Sequence, residues 1–111
     1  MNIKDYLGKA VYVVIDRPLG AKHPEYHYTY PVNYGYVPDT KMADGKELDV
    51  FVLGVDKPLE SFLGECIAAI HRTNDDDDKL IVVPEGKTFS DKEIEKMVEF
   101  QEKWFRHKLL R

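Results

Sequence analysis

The sequence contains very little cysteine. Cys66 is the one cysteine among 111 residues, so neither an internal disulfide framework nor a cysteine-based zinc site can form within one chain. Long hydrophobic runs are also lacking, since no apolar stretch approaches the roughly 18 residues that a membrane helix needs. Residues 1–5 (MNIKD) have neither the basic start nor the apolar run of a signal peptide. We therefore expect a cytoplasmic protein.

An excess of positive charge is absent as well. The net charge is -4, which argues against a nucleic-acid binder with a basic face. The sequence has no P-loop, GxGxxG or GxSxG motif, and its four histidines show no metal-ligand spacing such as HExxH. The chain is 43% hydrophobic, and its length suits one domain. We expect residues 1–111 to form a single domain that binds neither nucleic acid nor membrane.

Segments rich in β-branched and aromatic residues predict strands at 10–15, 48–53, 65–71 and 79–83. The last two segments flank a polar turn at 73–78, a pattern that predicts a hairpin. Residues 19–28 contain glycine, proline and scattered charges and predict a loop or a weak edge strand. The segment 30–38 (YPVNYGYVP) has a proline near each end, which predicts an irregular extended segment.

A helix is predicted to begin after Ser90. Ser90 and Glu93 form a capping box, and Phe89 with Ile94 forms a hydrophobic staple. Apolar residues then recur at helical spacing as far as Leu109. This face most simply packs on the sheet, and a partner-binding face is the alternative. Together the elements predict an α+β fold, a small OB-like β-barrel of five or six strands with one C-terminal α-helix.

Two acidic clusters are candidates for chemistry. Asp44 and Asp49 flank a glycine turn that leads into a strand, and two such carboxylates suit a hard cation such as Mg²⁺. In the run 74–79, backbone alternation places Asp75 and Asp77 on one side, so about half of this run can face one site. Each cluster has a simpler alternative. The first is a solvated turn before a strand, and the second a solvated hairpin tip.

The tyrosine-rich segment 30–38 is the third candidate. Tyrosine hydroxyls donate hydrogen bonds to phosphate oxygens, and the rings can form the wall of a pocket. For Tyr30 and Tyr36, aromatic packing in the core is the alternative.

In this order the three clusters resemble the soluble (family I) inorganic pyrophosphatases. The hallmark of that family is YPxNYGY, then D-G-D-P-[apolar]-D, then a hairpin with paired aspartates and D-x-K. Here the corresponding segments are 30–36, 44–49 and 77–79, and the interval between the first two agrees without a gap. The resemblance covers roughly residues 10 to 84. It implies Mg²⁺-dependent hydrolysis of pyrophosphate, in which aspartates hold the metals while lysine, arginine and tyrosine side chains hold the phosphates.

Carried over by residue, the resemblance implies that Asp44 and Asp49 bind metal and form the catalytic pair. It implies Asp77 as a further metal ligand, with Asp75 in place of the hairpin's first aspartate. Lys79 and Tyr34 are implied as phosphate ligands, and Lys22, Lys46 and Asp16 complete the expected substrate-binding set.

The sequence departs from the family pattern at the middle of its aspartate triad. Lys46 stands where the family has the central aspartate, which binds metal and is the proposed general base. A protonated ammonium has three donors and no acceptor. We therefore keep two functions in view. One is Mg²⁺-dependent hydrolysis of pyrophosphate or a related phosphoanhydride or phosphoester. The other is a catalytically weakened relative that binds phosphate ligands or a protein partner.

The hairpin that follows strand one in the family is compressed here into residues 19–29. Its loss could leave an exposed edge strand, and such edges invite pairing with another chain. We therefore expect a homo-oligomer. A third hypothesis for the function is a purely structural or interaction module, for which the barrel alone is sufficient.

Overall fold

The computed structural model describes residues 2–42, 45–74 and 77–111. A short 3₁₀ helix at Ile3–Tyr6 precedes the first strand. The strands and the helix then follow in the order β1 Ala10–Arg17, β2 Asn33–Val37, β3 Leu48–Val52, β4 Ser61–Arg72, β5 Lys79–Val83, α1 Asp91–Glu102 and β6 His107–Leu110. Within these ranges, no helix is long and apolar enough to cross a membrane.

Five of the strands close into a barrel. Their order is β1-β2-β3-β5-β4, and β4 returns to pair with β1. The 12-residue β4 is long enough to pair with β1 through its first half and with β6 through its last residues. Closure satisfies the backbone groups that an open sheet would leave at its edges. The predicted small OB-like α+β barrel is thus confirmed, with β6 as an added strand after the helix.

The apolar residues of the strands divide between two core clusters. Alternate residues of β5 enter different clusters, because successive side chains point to opposite faces of a strand. One cluster joins β1, β3, β4 and β5, and the other packs α1 onto the sheet through Ile94 and Val98. Both faces of β3 and β5 are therefore covered, which explains why these strands are almost continuously hydrophobic.

The segment 30–38, predicted to be irregular, contains β2 and is paired on both sides. The two prolines lie just outside the ladder, where no backbone donor is needed. A Cβ on Gly35 would overlap the backbone carbonyl of Val14, so only glycine lets β1 and β2 approach this closely. Asn33 is fully buried, accepts from the backbone N–H groups of Leu19 and Leu59, and so holds two loops in place.

The helix begins as predicted, with a complete capping box between Ser90 and Glu93. It ends at Glu102, however, whereas the apolar spacing continues to Leu109. Leu109 lies in β6 and packs against the same core cluster as Ile94. The apparent helical periodicity beyond Glu102 therefore comes from a second element that faces the same core.

Candidate active site

Four side chains predicted from the sequence converge on one face of the sheet. β2, β3 and β5 are neighbours, and Asp49 of β3 is in register with Lys79 of β5. Both residues lie two positions before the apolar residues that face α1, so their side chains share that face. Tyr34 comes from β2, and Asp77 precedes β5 by two residues. We call Tyr34, Asp49, Asp77 and Lys79 the carboxylate–lysine cluster.

Lys79 is the centre of this cluster. Its Nζ lies 2.6 Å from the Tyr34 hydroxyl, 3.3 Å from Oδ2 of Asp49 and 3.2 Å from Oδ2 of Asp77. The side chain is fully buried, and a buried ammonium is costly unless it is paired and hydrogen-bonded. The three oxygens, together with the Tyr34 ring centroid 5.1 Å away, offset that cost.

The two carboxyl groups of the cluster differ in acidity. Burial raises the pKa of Asp49 to about 6, with the charge of Asp77 adding to the rise and Lys79 opposing it. Burial also acts to raise the pKa of Asp77, but Lys79, the hydrogen bond with Asp49 and the charge of Arg72 together lower it. Asp77 is therefore the stronger acid, and Asp49 can hold or release a proton near neutral pH. Burial raises the pKa of Tyr34 well above its usual range, so its hydroxyl stays neutral.

A buried ion pair between Arg72 and Glu102 contacts the carboxylate of Asp77. Arg72, at the end of β4, donates to both carboxylate oxygens of Glu102 at 2.9 and 2.6 Å, and its Nη1 lies 3.1 Å from Oδ2 of Asp77. The guanidinium lies 3.6 Å from the centroid of the Phe105 ring. On α1, Gln101 donates to the Tyr34 hydroxyl at 3.4 Å. The end of the helix thus contacts Tyr34 directly through Gln101 and is linked to Asp77 through the Arg72 guanidinium.

Sequence reasoning missed Arg72 and Glu102, although the pattern contained a signal for each. Arg72 lies two residues after the buried Ile70 on β4, so the two side chains are on the same face of the strand. This position predicts a cation that points into the core. Glu102 is four residues after Val98, on the buried stripe of α1. A positive and a negative residue on two apolar faces predict a buried pair, because an uncompensated charge would be expensive there.

The contacts described above involve none of the other predicted site residues that the structure describes, namely Asp16, Lys22 and Lys46. Asp44 and Asp75 lie outside the described residues. Lys46 is exposed on the turn before β3, and Lys22 is exposed in the loop between β1 and β2, where it bridges to Thr29.

Asp16 lies near the end of β1. Desolvation raises the pKa of its carboxyl, with Arg17 acting against the rise and Glu47 adding to it. The structure describes no hydrogen bond between Asp16 and the carboxylate–lysine cluster.

The donor set of the cluster fits a divalent cation in part. Asp49 and Asp77 present hard oxygen ligands on one face, and their side chains remain 28% and 35% exposed. Mg²⁺ is typically held by one or two carboxylates, with water and substrate phosphate completing its shell. Among the described residues, no group of three or more histidine, cysteine or acidic side chains is close enough to hold a metal alone.

Comparison with known families gives an extended match. The family model described as "Inorganic pyrophosphatase" matches residues 11–109. An inorganic pyrophosphatase of Saccharolobus solfataricus is 40% identical over 63 residues, covering 53% of this chain and 37% of the relative. One from Halobacterium salinarum is 39% identical over 77 residues, covering 66% and 41% respectively. The chain thus spans less than half the length of these curated relatives.

Solved structures show the same fold. An inorganic pyrophosphatase from Ehrlichia chaffeensis superposes with a TM-score of 0.69 at 17% identity, covering 92% of this chain and 85% of that one. The enzyme from Thermus thermophilus gives a TM-score of 0.62 at 20% identity, covering 92% and 80%. At this level of identity the likeness concerns the fold alone.

Proposed function

The chain belongs to the inorganic pyrophosphatase family, and from this premise we propose that it hydrolyses pyrophosphate, or a related phosphoanhydride or phosphoester, to phosphate with the help of Mg²⁺. The observation that carries the proposal is the convergence of Tyr34, Asp49, Asp77 and Lys79 on one face. Two carboxylates for a cation, beside two donors for phosphate oxygens, are the groups that such a reaction needs.

The roles we propose follow from the chemistry of each group. Asp49 and Asp77 would hold Mg²⁺, and Asp44 and Asp75, which lie outside the described residues, remain proposed as further ligands. When bound, Mg²⁺ neutralises phosphate charge and lowers the pKa of water. The hydroxyl of Tyr34 stays neutral and donates to a phosphate oxygen.

Lys79 must change partners when an anion binds. Its ammonium has three donors, and three oxygens surround it in the structure. To donate to a phosphate oxygen, Lys79 releases one of these three oxygens, and we propose that it is a carboxylate oxygen of Asp49 or Asp77. That carboxylate then becomes available as a ligand. Anion binding and cation binding are therefore expected to strengthen each other.

The test is phosphate release from pyrophosphate by purified protein, with and without Mg²⁺. We expect release above a boiled control, and a loss of about 100-fold or more in Asp49→Asn, because the neutral amide is a poorer ligand for Mg²⁺ and cannot accept a proton. The matched control is Asp56→Asn, an exposed aspartate in the loop after β3, which should keep full activity. If neither pyrophosphate, nucleotides nor simple esters release phosphate above the boiled control, the proposal is wrong.

We also propose that the protein is a cytoplasmic homo-oligomer, as predicted from the sequence. Among the described strands, β6 pairs on one side alone, and an edge strand of this kind can pair with a second copy. Light scattering over a range of protein concentrations tests the assembly. Scattering from monomer alone at the highest concentration would exclude it. Cell fractionation tests the compartment.

A further inference from the structure

A cavity of about 600 Å³ adjoins the carboxylate–lysine cluster. Aromatic side chains form most of its wall, namely His23, Tyr26, Tyr28, Trp104 and Phe105. The centroid of the His23 ring lies 5.0 Å from that of Tyr26 and 4.9 Å from that of Tyr28, with the ring planes inclined by 31° and 35°, so these three rings pack against one another. Tyr26 and Trp104 are exposed by 72% and 71%. Two large rings of the cavity wall are therefore mostly accessible to solvent.

The cavity is continuous with the proposed catalytic groups. Asp77 lines the cavity and also contacts Lys79 in the cluster. Gln101 lines it too, accepts from the Tyr28 hydroxyl at 3.4 Å and donates to the Tyr34 hydroxyl at the same distance. A ligand whose phosphate lies at Asp77 and Lys79 would therefore have its other end among the aromatic rings.

The chemistry of this wall does not match inorganic pyrophosphate. Pyrophosphate consists of phosphorus and oxygen and has no apolar surface to pack against an aromatic ring. The volume falls within the range of about 300–1,000 Å³ typical of sites for organic ligands, which are largely apolar with a few polar groups. A group of aromatic rings with an amide and a phenol nearby can bind a nucleobase, by stacking on a ring face and by hydrogen bonds to the edge of the base.

We propose that the cavity binds the base of a nucleoside diphosphate, with the terminal phosphate at the carboxylate–lysine cluster. The inference rests on the proposed function and names a substrate class for it. In the reaction, the oxygen of water bonds to the terminal phosphorus as the bridging P–O bond breaks. The bridging oxygen leaves with the nucleoside monophosphate, and the two protons of water are shared between the products and the medium.

Trp104 provides a direct reading of occupancy, because it is the one tryptophan of the chain and lines the cavity. The experiment titrates tryptophan fluorescence with ADP, pyrophosphate and tripolyphosphate, each with Mg²⁺. Tripolyphosphate offers phosphoanhydrides without a base. We expect ADP to change the emission of Trp104 and to bind more tightly than tripolyphosphate.

Two variants separate the cavity from the rest of the surface. Tyr26→Ala should weaken ADP binding by about fivefold or more, the lower end of what one stacked base contributes. Its affinity for tripolyphosphate should change less than its affinity for ADP. The matched control is Tyr12→Ala, an exposed tyrosine on β1 that does not line the cavity. This control should bind ADP as the unmodified protein does. Circular dichroism verifies that both variants are folded.

The inference is overturned if ADP leaves Trp104 emission unchanged, if tripolyphosphate binds as tightly as ADP, or if the two tyrosine variants lose affinity equally. Phosphate release from pyrophosphate is measured on the same preparation. Release without an ADP response rejects the base site and leaves the proposed hydrolysis standing. A selective ADP response without release from any of the compounds supports the base site and rejects the hydrolysis.

Discussion

At the scale of single residues, the carboxylate–lysine cluster depends on how its charges are distributed. Lys46 lies three residues before Asp49 of this cluster, and the resemblance found in the sequence implies that it stands where the family pattern has an aspartate, a change of charge from −1 to +1 at that position. An ammonium repels a nearby cation and, while protonated, cannot accept a proton from water. The two aspartates on either side of Lys46 in this motif, Asp44 and Asp49, are present in the sequence.

Lys46→Asp should therefore raise Mg²⁺-dependent phosphate release. The expected increase is about 100-fold, the lower end of what one general base contributes. Lys41→Asp is the matched control, because Lys41 is exposed in the same loop and its replacement changes the charge equally. Initial rates of release from pyrophosphate give the comparison. Equal rates in the two variants would show that the nature of residue 46 does not limit turnover.

A second prediction concerns the buried pair of Arg72 and Glu102. Glu102→Gln leaves the guanidinium under-compensated in the core, and we expect a loss of about 3 kcal/mol in the free energy of unfolding. Replacing both residues, as Arg72→Met with Glu102→Leu, should recover most of that stability. Urea denaturation measures both effects. The exposed pair of Arg111 and Asp91 is the control, and Asp91→Asn should cost less than about 1 kcal/mol.

The double variant also separates stability from positioning. Without Arg72, Asp77 loses a contact of 3.1 Å that orients its carboxylate. We therefore expect the double variant to be stable but to have a weaker dependence on Mg²⁺ than the unmodified protein. A double variant with an unchanged Mg²⁺ titration would mean that Arg72 and Glu102 serve the core alone.

Much of the site could be predicted from the sequence, and the reason lies in local spacing. Tyr34, Asp49, Asp77 and Lys79 all belong to short motifs, and sheet register brings those motifs together. The contribution of α1 was not predicted, because Glu102 meets Arg72 across 30 residues of sequence. Sequence pattern predicts that a charge is buried but not which distant charge faces it.

At the scale of elements, the strands were predicted well where both faces are buried, and less well elsewhere. β5 was predicted with its observed bounds, because Lys79 and the four apolar residues after it lie between clear turn signals. β6 was missed because its four residues continue the spacing of α1. Its strand character comes from pairing with β4, which is a tertiary effect that local pattern does not contain.

The contact between β6 and α1 is predicted to make stability depend on pH. Burial lowers the pKa of His107, but hydrogen bonds to Glu95 and to the carbonyl of Phe105, with the charges of Glu95 and Glu102, raise it above 6.5 overall. The protonated ring therefore stabilises the fold. This contribution is complete below the unfolded pKa of about 6.5 and is lost as the pH rises through the folded value.

The measurement is urea denaturation at a series of pH values from 6 to 9. His107→Gln should remove part of the decrease in stability that accompanies rising pH. The control is His27→Asn, since residue 27 is exposed and has a positive φ of 61°, which asparagine tolerates. Identical pH profiles for His107→Gln and the unmodified protein would rule out this role for His107.

At the scale of the whole molecule, the position of the helix connects the proposed chemistry to stability. The core cluster that packs α1 on the sheet contains Phe51 and Ile70 from the barrel together with Ile94 and Val98 from the helix. Tyr34 belongs to that cluster as well as to the proposed active site. Loss of the helix would therefore remove packing from the barrel and support from the site at once.

We accordingly propose that residues 1–111 unfold as one domain. Trp104 reports on the segment between α1 and β6, and far-ultraviolet circular dichroism reports on the secondary structure as a whole, most of which lies in the strands. Because one core cluster joins both parts, the two signals should give the same midpoint in urea, as in two-state unfolding.

Ile94→Ala should lower both midpoints together, with a loss of about 2–5 kcal/mol in the free energy of unfolding for a fully buried isoleucine. Lys96→Ala, on the exposed face of α1, should leave both nearly unchanged. A tryptophan transition that precedes the circular dichroism transition would show instead that the C-terminal segment is a separate unit, which would separate Glu102 and its ion pair from the stability of the barrel.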